Sequence, residues 1–297
     1  MKRIAVIGAG ISGLATAYQL EKQLSASGVA HELRVFEKEA RPGGKIGAAR
    51  RDGFLCESGP NGFLDSKPST LELCAELGIS DRLLSSSEAA RRRFILKNGR
   101  LREIPTAPLA FLRSDLMSLR GKLRMLAEPW AADPKEGKDQ SISDFARRRL
   151  GSEALETLIE PMVGGVFAGN PDRLSLESCF PRIAELERTY GGLVKAMFKL
   201  QKERRRQRGQ GGTAPGAGPA GPGGTLTSFR EGLSVLPDTL AQRFGERLTC
   251  AAPLSAVLRS GNGFRLVFEG QADYECDCLI LATPASDAAQ ALNGLDA

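Results

Sequence analysis

A single histidine, His31, occurs in 297 residues, together with one tryptophan and three tyrosines. One imidazole excludes a multi-histidine metal centre and makes a Ser-His-Asp triad or Cys-His pair a poor reading. His31 precedes a strand-like run and reads as structural. Six cysteines stand at 56, 74, 179, 250, 276 and 278, with no zinc-ribbon or disulfide-framework spacing. Cys276 and Cys278, two apart in a strand-like stretch, are expected to share one face of it. No apolar run approaches the ~18 residues needed to span a bilayer. No signal-peptide pattern follows Met1-Lys2-Arg3. The expectation is a cytoplasmic chain with reduced thiols, in contact with a membrane only peripherally, on the inner face of the cell membrane.

What is present favours a globular protein. The hydrophobic fraction is 41%, enough for real cores, and the length suits about two domains. The formal charge is +6, which suits an anionic partner without choosing one. The basic runs Arg91-Arg92-Arg93 and Arg147-Arg148-Arg149 are expected to be solvated surface. They lack interleaved aromatics, so nucleic acid is not an expected partner.

Along the chain, Ile4 to Ile7 is a short apolar run, read as a buried strand. Glycines follow at 8, 10 and 13, then a helical pattern to about Leu24 and a second strand from His31 to Phe36. This is a parallel strand pair with a helical crossover. A helix is expected over 68–78, and a hairpin around Asn98-Gly99. From Pro108 to about Arg206 the pattern is mainly helical, with Ser143 as a candidate cap for the helix ending at Leu150-Gly151. The stretch 109–130 mixes Leu, Phe, Met and Trp130 with Arg and Lys, as an amphipathic or membrane-interface helix would. Residues 205–224 are glycine- and proline-rich and read as a flexible loop. A helix follows over 233–244, then short strands at 247–250, 254–259, 263–269 and 272–282. The last is expected to rejoin the first sheet.

The chemistry-bearing motif is Gly8-Ala9-Gly10-Ile11-Ser12-Gly13, G-x-G-x-x-G between a strand and a helix. Gly8 permits the tight turn, Gly10 lets backbone approach a pyrophosphate, and Gly13 lets helix and strand pack closely. The helix start offers unpaired N–H groups to phosphate. Glu37 ends the next strand, near the usual distance for a carboxylate that binds ribose, and it would repel a 2′-phosphate. Arg41-Pro42-Gly43-Gly44-Lys45 and Glu57-Ser58-Gly59-Pro60-Asn61-Gly62 follow. On physical grounds alone these are turns, and NAD and FAD both remain open.

Both stretches resemble the flavoprotein amine-oxidase superfamily. Residues 45–63, 73–77, Arg93-Phe94, Gly165 to Asn170, Leu174-Ser175, Ser178 to Pro181 and Ser228 to Leu233 resemble, more narrowly, the protoporphyrinogen oxidase family. The resemblance implies an α/β fold: a Rossmann-like FAD-binding domain of the GR2 type with an inserted mixed substrate domain and a helical, membrane-associating subdomain. It places the FAD domain at 1–85 and 228–285, the substrate and helical domain at 86–227, and the start of a further substrate segment at 286–297. Members of the family continue well beyond that point, so a C-terminally truncated chain is expected. The implied activity is oxidation of a porphyrinogen to a porphyrin in haem synthesis, with dioxygen as acceptor; protoporphyrinogen and coproporphyrinogen are not separated, and another flavin amine oxidase or desaturase and an inactive FAD-binding fragment are the alternative readings. Implied partners are the porphyrinogen, dioxygen, a peripheral membrane surface, the next enzyme of haem synthesis and a second copy in a homodimer. Position by position, the resemblance implies that Gly8, Ala9, Gly10, Ile11, Ser12, Gly13, Glu37 and Lys38 hold the ADP part of FAD. Arg41, Gly43, Gly44, Lys45, Gly59, Pro60, Asn61 and Gly62 would approach the rest, and Leu248 would bond the adenine through its backbone. Arg93 would pair with a substrate propionate, which suits a guanidinium better than an ammonium. The backbone of Gly165 would lie near the reacting carbon, although Gly164-Gly165 as a pair could also simply break a helix. No metal is expected.

Overall fold

The computed structural model describes residues 1–295 except 67, 88–91, 106, 133–138, 209–223 and 294. These residues divide into two compact units, 1–86 with 225–297, and 87–224.

The first unit starts with β1 (Lys2–Ile7), whose Ile4 to Ile7 are all buried. A glycine turn leads into α1 (Ile11–Ala26), and β2 (His31–Phe36) returns parallel to β1 with Ile4 beside Leu33 and Val6 beside Val35. β3 (Ala48–Arg51) and β4 (Phe54–Glu57) form a hairpin. Its turn residues Asp52 and Gly53 both have positive φ, the conformation of the tight hairpin turn that matches strand twist. β5 (Phe63–Leu64), α2 (Pro68–Glu76) and β6 (Leu83–Ser85) complete this part.

The second unit opens with the expected hairpin, β7 (Phe94–Lys97) and β8 (Arg100–Glu103), around Asn98-Gly99. It is otherwise helical among the described residues: α3 (Pro108–Arg113), α4 (Leu119–Leu126), α5 (Ile142–Arg149), α6 (Ser152–Ala154), α7 (Glu160–Phe167), α8 (Leu176–Cys179), α9 (Pro181–Tyr190) and α10 (Leu193–Arg208). A π-helical turn over Leu155–Ile159 joins α6 to α7. Ile142, Phe145, Val163, Leu176 and Ala184 form its main core. The proposed loop 205–224 falls mostly on residues outside those described; before them α10 stays helical to Arg208.

Two expectations for this unit are corrected. The cap of α5 is Ser141, whose Oγ accepts from the Asp144 N–H at 3.1 Å, not Ser143. Ser143 is already inside the first turn and buried, where its hydroxyl cannot reach the N–H groups that a cap serves. The Arg147 to Arg149 run is not all surface. Arg149 is 1% exposed, held by the Glu187 carboxylate at its Nε and lying 3.7 Å from Glu128, itself 0% exposed. Arg148 also bonds Glu187, at 2.7 Å. Glu128 in turn accepts the N–H groups of Leu193 and Val194 at the start of α10. Burial becomes affordable because each charge has opposite charges or N–H donors. In the other run Arg92 and Arg93 are exposed, and Arg91 lies outside the described residues.

Back in the first unit, β9 (Leu226–Phe229) runs between β5 and β6, and α11 (Val235–Phe244) packs on α1. β10 (Leu248–Thr249) joins the edge of β2. β11 (Leu254–Ser260), β12 (Gly263–Phe268) and β13 (Tyr274–Cys276) make an antiparallel meander, and β14 (Cys278–Leu281) pairs parallel with β1. α12 (Ala285–Leu292), in the region expected to begin a further substrate segment, buries Ala291 with Val257 and Leu266 of the meander. The main sheet has order β10-β2-β1-β14. Alternation sends Ile4, Val6, Leu33 and Val35 to one face, against α1 and α11, and Ala5, Ile7 and Phe36 to the other, against the meander. The sheet is thus the middle of three layers.

The 272–282 stretch is therefore two strands in two sheets, and Cys276 and Cys278 do not share a face: Cys276 is buried, Cys278 exposed. Asp277 makes the break. Its N–H donates to the Arg3 carbonyl at 2.8 Å, and its carboxylate accepts the Arg3 N–H at 2.7 Å.

Candidate functional site

Parallel strands place the carboxyl ends of β1, β2, β10 and β14 on one side of the sheet, and the predicted cofactor residues gather there. Each motif glycine has a distinct reason. Gly8 has φ +99°, and a Cβ on it would lie 2.8 Å from the Ala282 carbonyl oxygen. A Cβ on Gly13 would lie 1.8 Å from the Gly8 carbonyl oxygen, so only glycine lets α1 start against the turn. Gly10 differs: nothing lies within 4 Å of the position its Cβ would take. It caps α1 with no side-chain bond, and the first turn of the helix carries no acid. Open space in front of bare helix N–H groups is what a diphosphate requires.

The second loop wraps this turn. Gly43 N–H donates to the Ala9 carbonyl at 2.8 Å, and Gly10 and Gly43 form a parallel bridge. A Cβ on Gly44 would lie 3.2 Å from the Gly10 Cα. Gly43 and Gly44 have φ +105° and +58°, so both the backbone shape and the close approach favour glycine. Arg41 donates to the carbonyls of Pro42 and Ile46, and Lys45 is exposed. Gly59 follows in close contact: a Cβ there would lie 2.1 Å from the Lys45 carbonyl oxygen. Pro60 and Asn61 are exposed, and a Cβ on Gly62 would lie 2.8 Å from the Thr227 carbonyl oxygen.

Glu37 is buried at the end of β2. One carboxylate oxygen accepts the Ala9 N–H at 2.7 Å and the other the Glu39 N–H at 3.0 Å. The acid thus anchors the glycine turn, and each oxygen keeps a lone pair for a hydroxyl. Lys38 instead reaches Asp287 of α12, at 2.8 Å, and that hydrogen bond raises the lysine pKa and lowers that of the aspartate. Leu248 lies on the edge strand β10 opposite Val35, where main-chain groups remain for a ligand. Three further polar atoms of this unit, Glu57 Oε2, Tyr274 Oη and Thr283 Oγ1, are buried without a hydrogen-bond partner. These features fit a dinucleotide cofactor.

Arg93 and Gly165 belong to the second unit. Arg93 precedes β7, is exposed, and takes the Ile104 N–H on its carbonyl at 2.8 Å. Its neighbour Arg92 is committed to Glu103 through two bonds of 2.9 and 2.6 Å. Gly164 and Gly165 do not break a helix. α7 runs through both to Phe167 and stops at Ala168, with φ +47°. Outside the helix's own backbone and the chain neighbours, no atom lies within 4 Å of where a Cβ would sit on either glycine, so the helix shows a bare patch, with Val166 65% and Met162 41% exposed beside it. Sequence reasoning missed the Glu128–Arg149–Glu187 network; a basic run gives no local sign of which members find buried carboxylates. Among the described residues no group of His, Cys, Asp or Glu could hold a metal, and no helix is long and apolar enough to cross a membrane.

Comparison with known proteins bears on the site. The flavin containing amine oxidoreductase family matches residues 11–295. The chain belongs to that family. Its cofactor is FAD, and its fold is the α/β fold of flavin amine oxidases. Within the family it is 37% identical to the chloroplastic protoporphyrinogen oxidase of Oryza sativa subsp. japonica, over 98% of this chain and 54% of the relative. It is 31% identical to the coproporphyrinogen III oxidase of Bacillus subtilis (strain 168), over 100% of this chain and 63% of the relative. A crystal structure from Exiguobacterium sp. 255-15 superposes with a TM-score of 0.73 at 26% identity, covering 99% of this chain and 62% of that one. The chain thus spans between half and two thirds of the length of these relatives.

Proposed function

We propose that this protein oxidises protoporphyrinogen IX to protoporphyrin IX with FAD as cofactor and dioxygen as acceptor, in haem synthesis. The observation that carries the reading is likeness to a plant protoporphyrinogen oxidase across nearly the whole chain, and the glycine cradle supports the cofactor half of it. Coproporphyrinogen III is the second reading, favoured by the match to the Bacillus relative over 100% of this chain and 63% of that relative.

When bound, FAD supplies the two-electron acceptor and the means to pass electrons to dioxygen. The chain supplies position. Gly10 and the N–H groups of Ile11, Ser12 and Gly13 cradle the diphosphate. Glu37, its carboxylate oriented by Ala9 and Glu39, accepts hydroxyls of the adenosine ribose. Leu248 offers backbone to adenine, and Arg41, Gly43, Gly44, Lys45 and Gly59 to Gly62 follow the rest of the cofactor. Lys38 steadies this region through Asp287. In an inserted substrate domain, Arg93 pairs with a propionate and the Gly165 backbone receives the macrocycle. No side-chain base is required by this arrangement.

A peripheral membrane contact belongs to the same proposal. α4 is inverted: Gly121 and Lys122 are buried, while Leu119, Leu123 and Leu126 are 74%, 58% and 56% exposed, and Trp130 beyond it 83%. Exposed Arg113 and Arg120 flank that apolar face and suit anionic headgroups. A homodimer and contact with the next enzyme of haem synthesis complete the proposed partners.

The test is anaerobic addition of protoporphyrinogen IX and, separately, coproporphyrinogen III to the FAD-loaded protein. Bleaching of the flavin band by the first supports the main reading. Bleaching by the second alone selects the alternative. Bleaching by neither, with flavin retained, leaves a flavin-binding protein of another substrate class and refutes both.

A further inference from the structure

The buried hydroxyl of Thr283 stands without a hydrogen-bond partner at a place where the topology predicts a ligand. Thr283 follows β14 by two residues, and Gly8 follows β1 by one. The two strands are parallel neighbours, with Ile7 beside Leu281, and the Ala282 N–H donates to the Ile7 carbonyl at 2.8 Å. β1 continues through α1 to β2 on its other side. The gap between β1 and β14 is therefore the switch point of this sheet, where open parallel sheets receive ligands beyond their carboxyl ends.

The side chain is close to the motif turn. Its Cγ2 lies 3.4 Å from where a Cβ on Gly8 would sit, and the carbonyl of Ala282 lies 2.8 Å from the same point. Thr283 thus stands beside the glycine turn, just past the carboxyl end of the neighbouring strand. A hydroxyl that is buried and unpaired costs free energy with no return unless a partner arrives. Valine has the same shape and would avoid that cost, so packing gives no reason for threonine here.

We propose that Thr283 is a cofactor-binding residue whose Oγ1–H donates to an oxygen of the FAD diphosphate. The inference rests on the reading of the glycine cradle as the cofactor site. It adds a donor from the end of the neighbouring strand to the N–H groups of α1, so the diphosphate is gripped from two strands. A donor on β14 also makes cofactor retention depend on the pairing of β14 with β1.

The experiment compares the whole unsubstituted chain with Thr283→Val and Thr283→Ser. FAD affinity is read by titration of the flavin absorbance and fluorescence, and thermal midpoints are read with and without FAD. Thr283→Val is expected to weaken FAD binding about tenfold, the effect of losing one hydrogen bond to a charged group. Its midpoint without FAD should equal or exceed that of the unsubstituted chain, because an unpaired hydroxyl has gone. Thr283→Ser should bind FAD within about threefold of the unsubstituted chain. Thr283→Val binding within twofold of the unsubstituted chain overturns the inference and leaves the cofactor site intact. A lower midpoint without FAD, with binding lost in step, overturns it in favour of a packing role. A folded unsubstituted chain that takes up no FAD refutes the cofactor site itself, and this inference with it.

Discussion

Alanine at Gly10 and alanine at Gly13 should have opposite consequences, although the two glycines are three residues apart in one motif. At Gly10 the backbone is already ordinary, φ −69° and ψ 173°, and a methyl group would meet nothing within 4 Å. Restricting the unfolded chain gains about 0.4–1 kcal/mol, while alanine is a poorer helix cap by about the same amount. The cofactor-free Gly10→Ala protein should therefore unfold within about 1 kcal/mol of the parent. Its methyl, however, fills the space that the diphosphate needs. Displacing the phosphate from even one N–H loses about 1.5–3 kcal/mol, a fall in FAD affinity of about tenfold to a hundredfold. At Gly13 a methyl would sit 1.8 Å from the Gly8 carbonyl oxygen. α1 must then move off β1, disturbing Leu14 and Ala17, both 0% exposed. The cost should reach the top of the usual overpacking range, about 3 kcal/mol, with FAD present or absent. Urea unfolding of both variants without FAD, beside FAD titration, is the assay. A Gly10→Ala protein that folds and binds FAD as tightly as the parent would refute the assignment of Gly10 to the ligand. Equal destabilisation by both changes would refute the division of labour.

Three further outcomes are expected. Arg149→Met strips a cation from two buried carboxylates and should cost about 3 kcal/mol, the low end for a broken buried pair, because Glu187 keeps Arg148 and Glu128 keeps two N–H donors; a loss under about 1 kcal/mol in urea unfolding would contradict the network's role. Burial alone would raise the Glu187 pKa, but its hydrogen bonds to Arg148 and Arg149 outweigh this and hold it below the ordinary glutamate range. The stability this gives is complete above that range and disappears as pH falls through the lowered value, so the gap between the parent and Arg149→Met should narrow at acid pH. Iodoacetamide at pH 8 should label the exposed Cys56 and Cys278 and spare Cys74 and Cys276 in the folded protein, as burial pushes the Cys276 thiol up to about 11; peptide mass mapping of native and urea-treated samples decides it. On the proposed function, Arg93→Lys should raise KM for the porphyrinogen about tenfold with little change in kcat, and a fall in kcat at constant KM would remove Arg93 from substrate binding.

The parts legible in the sequence are those written locally. The strand before Gly8, the helix after it, the acid at the end of β2 and the Asn98-Gly99 hairpin each depend on residues within one turn or strand of one another. Other features depend on distant partners. Arg149 is buried because Glu187, 38 residues on, reaches it. The 272–282 stretch splits because Arg3 captures Asp277. Ser141 and Ser143 are equivalent candidates by composition, and only the start of the helix separates them. For the site, motif spacing identified the glycine turn and Glu37, while the unpaired Thr283 oxygen has no signature in spacing at all.

The pairing of β14 with β1 also sets the earliest moment at which the four strands of this sheet can come together. β1, α1 and β2 emerge together from the ribosome and can associate at once. Asp277, the partner of Arg3, is 274 residues along the chain. At 5–20 residues per second it follows roughly 15 to 55 s later. Until then the β1 edge of the sheet is unclaimed, and the β2 edge waits for β10, 28 residues earlier in the chain than Asp277. Residues 87–224 meanwhile contain a complete core of their own and can fold during that wait. The nascent chain therefore carries a settled middle and an unfinished beginning, and its exposure to chaperones and to aggregation is concentrated at the N-terminal strand pair.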